Sequence, residues 1–136
     1  MKRIFVAILV AALSGGCAPN NVSELRRESM PYQFTIDENY EVTYRRLLHA
    51  LEECASVGFL LTQSQIQSNL YPDIGLGELS ITYNNMGDKS VFLHVEVRRH
   101  EATQSAVIAY PANFGGWGSY GRKVESMARN GVPPCP

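Results

Sequence analysis

Val91-Phe92-Leu93-His94-Val95-Glu96-Val97-Arg98 is the stretch from which the rest of the chain can be read. Successive side chains of a strand point to opposite faces, so apolar residues recurring every second position mark one buried face. The spacing predicts a strand with Val91, Leu93, Val95 and Val97 toward a core and Phe92, His94, Glu96 and Arg98 on the opposite side. Upstream, Asn84 to Lys89 carries Gly87-Asp88 and reads as a turn. Before it, Leu79-Ser80-Ile81-Thr82-Tyr83 alternates again. Gly75 and Gly77 indicate a loop, and Tyr71-Pro72-Asp73 breaks a polar segment from Thr62 to Leu70, in which Ile66 and Leu70 share one side of an edge strand. Downstream, His100-Glu101 turns the chain, and Ser105 to Tyr110 forms a further strand that Pro111 ends. Short connections between these strands predict an antiparallel meander.

The period changes on both sides of this block. Tyr32, Phe34 and Ile36 alternate with polar residues in a first half-buried strand. Asp37 stands where a helix N-cap is expected, with Glu38 and Glu41 placed to complement the helix dipole. Tyr40, Tyr44, Leu47, Leu48, Leu51 and Cys54-Ala55 then recur at three- and four-residue spacing, one apolar face of an amphipathic helix, and Gly58 supplies a C-terminal cap. Near the other end, Tyr120, Val124, Met127 and Ala128 form the stripe of a second helix from about Ser119 to Arg129. Asn130-Gly131 caps it and Pro133-Pro134 forbids continuation. The order β-α-β-β-β-β-α predicts an α+β fold, a two-layer sandwich of a mostly antiparallel sheet and two helices, over residues 31–136.

Residues 1–16 differ in composition. Lys2-Arg3 is basic, Ile4 to Leu13 is an apolar run, and Ser14-Gly15-Gly16 is small. That three-part pattern is a secretory signal peptide, and the run is too short for a membrane span, which needs about 20 apolar residues. Ala18 to about Met30 is rich in Pro, Asn, Ser, Glu and Arg, with one Val and one Leu to bury. It reads as a flexible tether or a short frayed turn.

Leu13-Ser14-Gly15-Gly16-Cys17 resembles the lipobox of bacterial lipoproteins, cut by signal peptidase II just before a cysteine that is then lipidated. The family prefers Leu three residues before the cysteine; here Ser14 holds that place and Leu13 stands one step earlier. The resemblance implies lipidation of Cys17. Ala18, rather than Asp, after the cysteine implies the outer membrane on its periplasmic side. A soluble periplasmic protein is the alternative. Each buried methylene contributes about 0.8 kcal/mol, so two or three acyl chains would hold the protein stably.

Three cysteines are present: Cys17, Cys54 and Cys135. With Cys17 lipidated, Cys54 and Cys135 remain, and an oxidising periplasm predicts a disulfide between them, two free thiols being the alternative. It would close a loop of about 80 residues, worth at most about 4–5 kcal/mol in the chain-entropy model. The chain carries 12 basic and 13 acidic residues; without Lys2 and Arg3, 10 basic against 13 acidic leave a net of −3. Nothing in that balance points to nucleic acid.

The sequence offers little for catalysis. His94, Glu96, Arg98 and His100 share a strand face by spacing, but a metal site needs converging ligands without a cation among them, and Arg98 intervenes. An exposed polar sheet face accounts for the same residues, and no metal or cofactor is expected. His49 lies off the apolar line of its helix. No Gly-x-Ser-x-Gly elbow or phosphate loop is present, and Glu52-Glu53 diverge on a helix. The candidate for function is the loop from Asn113 to Gly121, where Phe114, Trp117 and Tyr120 stand among glycines and could dock a protein or stack on a glycan. The alternative is that these rings pack over the sheet edge. A small α+β domain behind a lipid anchor is similar in architecture to accessory envelope lipoproteins of proteobacteria. The expectation is a non-enzymatic module that binds another envelope protein, or alternatively glycan, peptidoglycan or a small ligand.

Overall fold

Five strands form one sheet: the four later period-two segments lie close together in the chain and pair in turn, and the first adds at the edge beside the last. A computed structural model describes residues 18–56 and 64–131. The elements are α1 (Val22–Glu28), β1 (Tyr32–Ile36), α2 (Tyr40–Ser56), β2 (Ser64–Tyr71), β3 (Leu76–Asn85), β4 (Asp88–Glu101), β5 (Gln104–Pro111) and α3 (Tyr120–Asn130). The strand order is β1-β5-β4-β3-β2 and every neighbouring pair is antiparallel. Strands β2 to β5 are the expected meander, with β2 at one edge and β1 at the other. Helix α2 joins the two edges. It packs with α3 on one face of the sheet, so the α+β two-layer arrangement holds. Among the described residues no helix is long and apolar enough to cross a membrane.

The core lies between the two longer helices and the sheet. Tyr40, Tyr44, Leu47, Leu51 and Cys54 of α2 meet Leu79, Ile81, Leu93, Val95, Val97 and Val107 of the sheet and Val124 and Met127 of α3. Backbone and ring come close where α2 crosses β3. A Cβ on Gly77 would stand 2.4 Å from Cδ2 of Tyr44, so only glycine fits beneath that ring. Gly77 is thus a strand residue rather than part of a loop; the break is confined to a single turn at Pro72–Ile74, closed by Gly75 at φ 63°. The tight turn between β3 and β4 is Met86-Gly87, with φ values of 51° and 94°. Helix α3 ends at Gly131, φ 67°, as its sequence indicates. Cys54 is buried on α2 and disulfide-bonded. Cys17, Cys135 and residues 1–16, where a signal peptide is expected, lie outside the described residues.

Three further expectations change. The cap of α2 is Asn39, not Asp37: Asn39 Oδ1 accepts from the Glu41 N–H at 2.9 Å. The chain first turns through a Glu38 N–H to Ile36 carbonyl bond of 2.8 Å, and Asp37 accepts from Gln104 Nε2 at 3.0 Å. Second, Val91 and Phe92 exchange faces. Ile81 pairs with Leu93 but Thr82 with Val91, so β4 carries one extra residue, a β-bulge. Downstream of it Leu93, Val95 and Val97 face α2 and α3. At the bulge Phe92 joins that side, while Val91 turns to the other. Third, residues 18–30 are not a free tether. They contain α1, which lies on the sheet face opposite α2. Leu25 is fully buried there against Val91 and Ala112. Asn21 Oδ1 caps α1 by accepting from the Glu24 N–H at 2.8 Å, and the Pro19 carbonyl accepts from the Val91 N–H at 2.8 Å.

Candidate functional site

Two groups of side chains stand out, an aromatic loop at one end of the sheet and a polar cluster under α1. Positive φ at Gly115 (60°) and Gly116 (83°) turns the loop back over the end of β4. Phe92, turned inward by the bulge, becomes the centre of a ring stack. Trp117 stacks on it at 5.4 Å between centroids and Phe114 meets it edge-on at 5.5 Å. Tyr83 stacks at 5.9 Å, and Tyr120 continues from Trp117 at 4.7 Å.

The three loop aromatics therefore divide. Tyr120 is in the core, where burial pushes its hydroxyl pKa up. Trp117 is half-buried in the stack, which is the packing alternative of the sequence reading. Phe114 keeps 38% of its surface. Beside the loop Met30, from the α1–β1 connection, is 80% exposed. Two depressions meet at Gly118 and Ser119. One, of about 330 Å³, includes Phe114; the other, of about 500 Å³, is lined by Met30, Pro31, Tyr32 and Arg122. Ser29 Oγ donates to the Pro111 carbonyl at 2.7 Å and Asn113 Nδ2 donates to the Glu28 carbonyl, so loop and connection are joined. The Tyr32 hydroxyl donates to Glu125 Oε2 at 2.5 Å. That bond, together with those from Arg129, holds the Glu125 carboxyl below its usual range.

The polar cluster overturns the expected exposed face on β4. His94 and Glu96 are buried, 2% and 1% exposed, while Arg98 and His100 remain outside. The burying element is α1, and the residue that sequence reading did not anticipate is Arg26. Its Nη2 donates to Glu96 Oε1, lies 3.3 Å from His94 Nε2, and is 3.8 Å from Glu78 Oε1. A guanidinium only donates, so His94 Nε2 accepts and Nδ1 carries the proton, which it gives to Ser80 Oγ at 2.8 Å. The neutral imidazole follows from its surroundings. Burial first, and the Arg26 charge second, lower its pKa to about 4 against the opposing pull of Glu96. Arg98 closes the far side of Glu96, with Nε and Nη2 at 3.0 and 2.6 Å from Oε2. The Tyr110 ring lies 5.5 Å beneath the Arg26 guanidinium carbon.

Chemically, the cluster neutralises a buried carboxylate and a half-buried one with two guanidinium groups, and it ties α1 to the sheet. A signal for it existed in the sequence: Asn21-Val22-Ser23-Glu24 has a capping-box pattern. Its Glu24 Oε2 accepts from the Asn20 N–H at 2.8 Å. His49, as expected, is a surface residue, 3.1 Å from Glu53 on the next turn. No family model matches the chain, and no curated protein matches it.

Proposed function

We propose that the chain is a non-enzymatic cell-envelope lipoprotein, held by lipid on Cys17 at the periplasmic side of the outer membrane, that docks another envelope protein through the surface around Phe114 and Met30. The observation that carries this reading is the pair of depressions meeting at Gly118 and Ser119, with Phe114 and Met30 exposed at their rims. Exposed apolar side chains gathered beside concave surface mark binding sites more than isolated ones do. The signal-like residues 1–16 and the lipobox resemblance supply the location. The exposed Phe114 ring is also open to a second reading, stacking on a glycan.

The experiment is capture in intact cells with a photo-crosslinking residue at position 114, repeated with Met30→Asp. A single envelope protein should be captured, and Met30→Asp should reduce its yield about tenfold, as loss of an anchor worth about 1.4 kcal/mol does. Unchanged capture sinks the assignment of the surface. No capture, with muropeptides quenching Trp117 fluorescence in the purified protein, establishes the glycan reading instead. The intact mass of the membrane fraction tests the anchor: an unacylated chain in the soluble fraction leaves a free periplasmic protein.

A further inference from the structure

We propose that Glu78, His94 and Glu96 form a divalent-cation site, zinc by its donor set, for which the Arg26 guanidinium is the resident competitor. His94 Nε2 lies 3.8 Å from Glu78 Oε1 and 3.6 Å from Glu96 Oε1, and all three atoms lie within 4.8 Å of one another. Tetrahedral zinc with bonds of about 2.0–2.1 Å sets its ligands about 3.4 Å apart. A small contraction, chiefly of Glu78, therefore seats the ion. One imidazole and two carboxylates suit zinc, and the fourth position is left for water.

The two inner ligands are held as metal ligands are held. Ser80 takes the Nδ1 proton of His94 and so aims the Nε2 lone pair at the centre. Arg98 occupies Oε2 of Glu96 and leaves Oε1 facing the same point. Such outer partners fix tautomer and orientation, and they stand on rigid strands. Glu78, whose side chain is 25% exposed, is the adjustable ligand and the side from which an ion enters.

Arg26 places a single positive charge among these atoms, from a seven-residue helix. Zinc and Arg26 cannot both be there. Metal binding thus expels Arg26 and loosens α1, and docked α1 weakens metal binding by the same factor. The site couples a cation to the attachment of the N-terminal segment.

The test titrates zinc into the untagged full chain in detergent against a chromogenic chelator. Arg26→Gln should bind zinc about tenfold or more tighter than the parent. In that background His94→Gln and Glu78→Gln should each lose about tenfold or more, as changes to metal ligands and their supports do. In the parent chain, zinc but not magnesium should speed amide exchange over residues 22–28. If Arg26→Gln binds no tighter, or if binding survives removal of both His94 and Glu78, the proposal is overturned. Should His94→Gln unfold, as circular dichroism would show, Glu78→Gln at the partly exposed position decides alone.

Discussion

Mild acid should loosen this domain through one histidine. His94 faces Arg26 from α1, Glu78 and Ser80 from β3, Tyr110 from β5, and Glu96 along its own strand. Its pKa falls from 6.5 to about 4 because burial, and then the Arg26 charge, disfavour the imidazolium. The unfolded chain takes up a proton below pH 6.5 that the folded chain refuses until about pH 4. Stability is therefore complete above pH 6.5 and is lost as pH falls through that window. At about 1.4 kcal/mol per unit, the loss is about 2 kcal/mol at pH 5 and about 3 kcal/mol at pH 4. A domain of this size has about 5–15 kcal/mol in total. The assay is urea unfolding at pH 7 and pH 5 for the parent and for His94→Gln, which cannot take up the proton. The parent should lose about 2 kcal/mol more than the variant between the two pH values. Glu125, whose pKa is lowered by Tyr32 and Arg129, acts in both proteins and cancels. Equal losses in the two proteins, or a parent that gains stability at pH 5, would refute the reasoning.

Two further changes probe the elements around the cluster. Leu25→Ala removes the only fully buried side chain of α1, and by the usual cost of such truncations should weaken docking by about 2–3 kcal/mol. Limited proteolysis should then cut between residues 19 and 30 while the sheet stays intact. Met86→Asn should raise the thermal midpoint, because Met86 holds φ 51° in an exposed turn. Asn accepts that conformation more readily and forms the favoured Asn-Gly hairpin turn, for a gain of up to about 1 kcal/mol.

The parts of the fold that could be read from sequence are those in which one face is apolar and the other polar. Helix α2 announces itself through Tyr40, Tyr44, Leu47 and Leu51, and β3 through Leu79 and Ile81. The bulge is silent because Val91 and Phe92 are both apolar, so the pattern does not say which of them turns inward. The pairing of Thr82 decides that. Helix α1 is marked only by its Asn21–Glu24 capping pattern, for a different reason. One leucine among polar residues carries no periodicity, and its partners Val91 and Glu96 lie far along the chain. The candidate loop was half legible: glycines and rings mark it, but Phe92, the ring on which Trp117 and Phe114 rest, belongs to a distant strand. In sequence His94 and Glu96 look exposed, because the element covering them has the composition of a tether.

The bond from the Val91 N–H to the Pro19 carbonyl would limit how far the domain could stray from a lipid anchor, were Cys17 to carry one. With Pro19 fixed on β4, only two residue steps remain, about 7 Å of extended chain. A lipid on Cys17 would then give the domain almost no leash. Its encounters with a neighbour in the same membrane would become a search in two dimensions. Undocking α1 would release the chain up to Pro31, about 14 residues, and would lengthen that leash to about 45–50 Å. With a lipid on Cys17, the hold of α1 on the sheet would set the height above the membrane at which the loop around Phe114 could meet the proposed partner.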